Sequence, residues 1–248
     1  MSGYRVKLFF QIGLHSKDKV LLEQIQGKFG VGKINKHGSE SLGLRVQSFK
    51  ELEVIINHFN KYPLMTQKGS DFQLFKQAYE IIKNKRHLTS EGLNGLVGLK
   101  SSMNLGLSDS LKAAFPKVPT KRPIVIDQRV LDPDWLAGFV SGEGCFFVHV
   151  RKSVTHKIGY QVQLRFQITQ HNRDEQLIRS LIDYFNCGNV YTKKEDANFI
   201  VEKISCIVNI IIPFFNKYTI LGIKAFDLED FKRVAELIGS GAHLNLKV

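Results

Sequence analysis

The chain has 248 residues, 43% hydrophobic and 23% charged, enough to bury one large core or two smaller ones and too apolar for a disordered protein. Its 35 Lys and Arg against 23 Asp and Glu leave a formal net charge of +12, which favours a polyanionic partner, either nucleic acid or an anionic membrane surface. No apolar run approaches the roughly 20 residues of a membrane-spanning helix, no signal-peptide core follows Met1, and Cys145, Cys187 and Cys206 lack CxxC spacing, so membrane attachment, a disulfide framework and a structural zinc site are not expected.

In chain order, residues 3–12 alternate with period two. Tyr4, Val6, Leu8, Phe10 and Ile12 form one face of the expected strand, and Arg5, Lys7, Phe9 and Gln11 form the exposed one. His15, Ser16 and Asp18 then offer caps for a helix through Leu21, Leu22, Ile25 and Phe29, closed by Gly30 to Gly32. Lys33–Asn35 and Leu42–Val46 read as a hairpin around His37-Gly38-Ser39. Further helices are expected over 49–60, about 70–85 and around Leu93–Met103. Phe72, Phe75 and Tyr79 fall at helical spacing and read as core rather than as a platform for stacking bases. From Ala114 to Ile126 the chain carries Pro116, Pro119 and Pro123, which exclude regular structure and mark a linker.

The chain then repeats itself. Residues 159–168, GYQVQLRFQI, echo residues 3–12 at an offset of 156, and the same offset matches His15 with His171, Asp18 with Asp174, Phe29 with Phe185, Lys68 with Lys224 and His87-Leu88 with His243-Leu244. An internal repeat fixes architecture, and this one makes two similar halves. The division is residues 1–113, a linker over 114–130, and 131–248.

One stretch has no counterpart. In Leu131 to Arg151, LDPDWLAGFVSGEGCFFVHVR, Asp132 is an N-cap and Pro133 suits the first helical position, so a short helix is expected to run through Trp135, Leu136, Phe139 and Val140 and stop at Gly144. Gly138 and Gly142 share a face beside Ala137 and Ser141, leaving little bulk for close backbone contact. Glu143 ends the helix, where the dipole disfavours a carboxylate and a compensating cation is expected. Cys145, Phe147, His149 and Arg151 would continue an exposed strand face beyond it, joined by Gln161, Gln163, Arg165, Gln167 and Thr169. Alternation alone equally fits a solvated sheet face. Arg and Gln, however, are the side chains that pair bidentately with guanine and adenine in a major groove wide enough for a β-ribbon.

Leu136 to Gly144, LAGFVSGEG, resembles the signature helix of the LAGLIDADG homing endonucleases, specifically the single-chain, two-repeat type of fungal mitochondrial group I introns. The resemblance implies an α+β fold of two pseudo-symmetric αββαββα repeats forming a saddle on duplex DNA, with the strand faces named above reading the target. It also implies a site-specific, Mg²⁺-dependent double-strand endonuclease. In that family two signature helices pack at a pseudo-two-fold axis and the acid at the foot of each helps to bind divalent metal, here Glu143. Gln170 matches the position that holds metal-bound water, and Lys68 and Lys224 match basic residues near the site, although a solvated surface role fits either lysine taken alone. His15 and His171 each begin a helix after a strand and read as caps, outside the site.

Residues 1–130 show neither a signature helix nor the strand after it, so the first repeat reads as truncated and the partner acid is missing. The chain alone is therefore expected to dimerise through residues 136–142 or to be poorly soluble, and to act as a monomer once completed. Two rival functions share the fold: a maturase assisting group I intron RNA splicing, and a non-catalytic DNA-binding remnant. A mitochondrial, organelle-encoded origin follows from the resemblance and from residues 1–20, which lack the pattern of a transit peptide.

Overall fold

A computed structural model describes residues 4–116, 118, 121–156 and 158–241. Gly3, Lys117, Pro119, Thr120, Lys157 and the His243-Leu244 pair lie outside them. The chain divides into two compact units, Met1–Ile126 and Asp127–Val248. No helix among the described residues is long and apolar enough to cross a membrane.

In the first unit, strand β1 (Phe10–His15) leads through a short 3₁₀ turn into helix α1 (Lys19–Phe29), then hairpin β2 (Lys33–Lys36) and β3 (Ser41–Val46), and helices α2 (Phe49–Lys61), α3 (Lys68–Lys83), α4 (Ser90–Ser101) and α5 (Asp109–Ala114). The sheet order is β1-β3-β2, all antiparallel. Leu44 and Val46 of β3 and Leu22, Leu52, Ile55 and Leu74 of the helices are buried, and Phe10, Phe29, Phe59 and Phe72 pack with them through edge-on and tilted ring pairs. Caps fix the helix starts: the Ser48 hydroxyl accepts from Glu51 N at 3.2 Å and the Thr89 hydroxyl from Gly92 N at 3.0 Å. Tyr79 is buried and Phe72 and Phe75 pack on the core, as their spacing indicates. Six-residue α5 escapes sequence reading because its apolar content is too small for a helical period.

From Phe115 to Asp132 the described residues form no helix or strand, yet the later part is held firmly to the first unit. Gln67, itself buried, donates to Val125 O at 3.0 Å and accepts from Val125 N at 3.2 Å. Arg122 donates to Ser102 O at 2.7 Å and pairs with Asp71 at 2.9 Å.

The second unit begins with α6 (Pro133–Glu143) and β4 (Gly144–Lys152), followed by β5 (Tyr160–His171), α7 (Glu175–Phe185), the hairpin β6 (Asn189–Lys193) and β7 (Asp196–Val201), short helix α8 (Ile204–Cys206), a π turn over Ile207–Ile211, α9 (Ile212–Lys217) and α10 (Lys224–Gly239). Pro213 near the start of α9 lacks an N–H to give the preceding turn, and the backbone there widens to the π form. The sheet order is β4-β5-β7-β6. Phe166, Phe199 and Phe231 are fully buried with Leu136 and Val140 of α6, and Phe146 of β4 meets Phe166, Phe215 and Phe231 at centroid distances of 5.3, 5.9 and 5.4 Å.

The repeat is visible within each unit taken alone. The arrangement β5, α7, β6, β7 reproduces β1, α1, β2, β3, and α1 and α7 both end in a left-handed residue, Gly30 at φ 68° and Asn186 at φ 49°. The units differ where β4 stands. Residues 160–165 of β5 are strand because β4 pairs with them, whereas β1 starts only at Phe10, opposite Val46 of β3. The strand expected over residues 3–12 is thus corrected: residues 5–9 keep the in-out alternation, Tyr4 is exposed, and among the described residues no neighbouring strand bonds to residues 4–9.

Gly144 makes the sharp switch from α6 to β4. A Cβ there would lie 2.4 Å from Val140 Cγ1 and 2.7 Å from its carbonyl oxygen, and the backbone atom cannot swing aside. Gly144→Ala is expected to destabilise the second unit by about 1–3 kcal/mol, read as a lower urea midpoint at unchanged slope. An unchanged midpoint would show that the turn relaxes freely.

Candidate functional site

The site is built outward from α6. The Asp132 carboxylate accepts from Trp135 N at 2.9 Å and Pro133 occupies the first turn, so the helix starts as its sequence dictates. Leu136, Ala137 and Val140 turn into the unit's own core. Gly138 and Gly142 lie exposed, and a Cβ on either would meet nothing within 4 Å. Ala137 therefore does not share their open face.

Glu143 is exposed on the last turn, which carries no basic residue, and its carboxylate has no hydrogen bond or ion pair among the described residues. The compensating cation expected from the dipole is not a neighbour on the helix. What the fold does bring to this turn is indirect. Ser141 Oγ donates to Ala137 O at 2.8 Å and accepts from Leu221 N at 2.9 Å, tying the loop that enters α10 to the end of α6. Lys224 is the first residue of α10, with only 21% of its side chain exposed and Asp227 at 3.9 Å. Gln170 is two residues past Ile168, the partner of Gly144, and so lies on β5 beyond the foot of the helix. It is half-buried and takes the inward parity of Phe166 and Ile168 rather than the outward one.

Lys68 holds the equivalent place in the first unit, first residue of α3. It donates to Asn104 Oδ1 at 3.1 Å and pairs with Asp71 at 3.5 Å, and Asp71 is further engaged by Arg122 and Asn104 N. Among the described residues no three His, Cys, Asp or Glu side chains gather as a ready metal cluster. His15 and His171 are caps: their Nδ1 atoms accept from Lys17 N and Arg173 N, both at 3.1 Å. Cys187 is displaced from any such chemistry, since burial beside Cys206 pushes its thiol up to about 11.

The outward face of the second sheet is ordered by register. Cys145 stands opposite Gln167, Phe147 opposite Arg165, His149 opposite Gln163 and Arg151 opposite Gln161, so the residues expected to share a face form paired rows. Arg151 Nε donates to Gln161 Oε1 at 2.8 Å, and Phe147 stacks on His149 with centroids 5.5 Å apart. Thr169 and Gln167 both donate to Asn198 Oδ1 of β7, at 2.7 and 3.1 Å. Asn198, Tyr191 opposite it on β6, and Glu202 just past β7 extend the face and were not singled out from sequence. The alternation of Ala197, Phe199 and Val201 with Asn198, Ile200 and Glu202 is the signal that reveals them.

In the first unit Gln11 stands opposite Arg45, and the Arg45 guanidinium lies 3.9 Å over the Phe9 ring, adding a cation that sequence reading passed over. Arg5 and Lys7 precede β1 and are exposed. With Leu8, Phe75, Ala78 and Leu96 they line an apolar cavity of about 360 Å³.

A family model described as LAGLIDADG endonuclease matches residues 1–79 and 136–235, more than half of the chain and both repeats. The chain belongs to the LAGLIDADG endonuclease family. This LAGLIDADG chain is 42% identical to probable intron-encoded endonuclease 3 of Neurospora crassa over 99% of its own length and 47% of that protein's, and 38% identical to probable intron-encoded endonuclease 2 of the same organism over 99% and 56%. It therefore spans about half the length of these curated relatives. Among solved structures, the LAGLIDADG meganuclease I-CpaMI bound to uncleaved DNA superposes with a TM-score of 0.95 at 47% identity, covering 98% of this chain and 85% of that one. I-SmaMI bound to cleaved DNA gives 0.94 at 41% identity, covering 96% and 81%, and I-SmaMI has also been solved with uncleaved DNA in the presence of calcium ions. The α+β architecture expected for the family is the one observed.

Proposed function

We propose that this LAGLIDADG chain is the DNA-reading and half-catalytic part of an intron-encoded, site-specific endonuclease that cuts both strands of a long duplex target. The observation that carries the reading is the register of β4, β5 and β7, which ranks Arg, Gln, His, Thr and Asn side chains in rows on one outward face with Glu143 at its end. Such a face suits base edges in a major groove, while the +12 charge supplies affinity for phosphate. The probable intron-encoded endonuclease of Neurospora crassa and a similar protein in an ND4 intron of Podospora anserina support mitochondrial encoding.

Glu143 fits a divalent metal, Mg²⁺ by preference, because its exposed carboxylate is uncommitted and Mg²⁺ sites commonly use one or two carboxylates with substrate phosphates and water completing the shell. When bound, the ion supplies Lewis-acid polarisation of the scissile phosphate and acidifies water. Gln170 offers an amide to orient the attacking water. Lys224, largely sheltered at the start of α10, would place its ammonium where negative charge develops on phosphate oxygens, and Lys68 at the start of α3 is the candidate for that role within the first unit.

Binding to duplexes selected from a random library is expected to weaken by about 10³ or more between about 50 and 200 mM salt. Arg165→Ala is expected to relax base choice at one position. Salt-indifferent binding, or tighter binding to RNA than to any duplex, would remove the endonuclease reading; uniform weakening by Arg165→Ala would make that residue a phosphate anchor.

A further inference from the structure

Arg165 does not stand free on the reading face. Its Nε donates to Glu202 Oε1 at 2.7 Å and its Nη2 reaches the same oxygen at 2.5 Å. Both contacts, the Nε hydrogen bond and the Nη2 ion-pair approach, lie on the side edge of the guanidinium, so the plane of the group is held and its terminal edge, with parallel N–H bonds on Nη1 and Nη2, is left over. That terminal fork is the one that matches O6 and N7 of guanine. Phe147, directly opposite Arg165 on β4, flanks it on the other side. The pair is about one-third exposed on each side, at 34% for Arg165 and 38% for Glu202, so its charges are accessible to a ligand rather than locked in the core.

From this geometry we infer that Glu202 is a specificity-determining residue: it positions Arg165 to read one guanine in the duplex target, an inference that rests on the DNA-reading role proposed above. The carboxylate has two effects on a bound duplex. It restricts the Arg165 rotamers, removing the conformations in which a loose guanidinium would contact the phosphate of any sequence. It also neutralises Arg165, so the pair adds nothing to sequence-independent affinity and its contribution is confined to the base that completes the hydrogen bonds. The second oxygen, Oε2, remains an acceptor, and the N4 amino group of cytosine is the donor that a G·C pair presents in the major groove. The pair is therefore matched to a G·C step.

The test uses the chain as it stands. Wild type, Glu202→Ala, Glu202→Gln, Arg165→Ala and the double Ala variant are each bound to a random duplex library, and affinities are then measured on the selected duplex and its single base-pair variants. Wild type is expected to select guanine at one position, and Arg165→Ala to lose that preference. Glu202→Ala should cut the same preference by about fivefold or more while binding unrelated duplex at least as tightly, with a salt dependence steeper by about one charge. Glu202→Gln, which keeps an oxygen acceptor at the same reach, should lose less. The double variant should be no less selective than Arg165→Ala alone. Retention of the guanine preference in Glu202→Ala, an equal loss at all positions, or an additive loss in the double variant would overturn the inference and leave the endonuclease reading standing. Selection of no sequence by wild type would overturn both.

Discussion

Placing a helix and strand of the Pro133–Lys152 kind ahead of Tyr4 is expected to raise double-strand cleavage by about hundredfold or more, a barrier change of about 2.7 kcal/mol. The need is physical and lies in the first unit. The outer edge of β1 has no partner strand among the described residues, while the matching edge of β5 is covered by β4. The apolar cavity lined by Leu8, Phe75, Ala78 and Leu96 lies where its counterpart is filled: Phe75 corresponds at the 156 offset to Phe231, which is buried against Phe146 of β4. An added strand would bond to the backbone of residues 4–9 and put an apolar side chain into that space, and the helix before it would end in a second acid. The extended chain should also unfold at higher urea. Cleavage of both strands by the unextended chain as a monomer at the rate of the extended chain would show that one acid suffices.

The legible parts of the fold were those with strong local chemistry. Asp132 and Pro133 opened α6 and Gly144 closed it as read, and His15 and His171 proved to be caps at the same distance from their backbone donors. The repeat was legible because pairs such as Phe10 and Phe166, or Lys68 and Lys224, recur at one offset. What was not legible depends on neighbours in space. Residues 4–9 have a strand's alternation, but a strand also requires a second backbone at hydrogen-bonding distance, which no alternation encodes. The Arg165–Glu202 pair joins residues 37 apart, and the Ser141 bond to Leu221 joins residues 80 apart; both are products of register and loop placement. Gln170 illustrates the remaining ambiguity, because its place in the sequence fits the site while its parity in β5 is that of the core-facing row.

Glu143 is where the catalytic account is most exposed to refutation. Its carboxylate is uncommitted at the foot of α6, next to the β4 and β5 rows that would hold the duplex, and Glu143→Gln removes the charge while keeping the size. Since Glu143 makes no internal bond among the described residues, the substitution should leave folding and DNA affinity unchanged within about twofold, whereas loss of a metal-binding carboxylate removes several kcal/mol of transition-state stabilisation. The decisive measurement is conversion of a supercoiled plasmid bearing the selected target to linear product, with Mg²⁺, by the extended protein and by its Glu143→Gln variant at equal occupancy of DNA. The two-acid account predicts linear product from the first and, from the second, a rate lower by about 10³-fold or more with binding intact. Linear product from Glu143→Gln at a rate within about tenfold of its parent would contradict it.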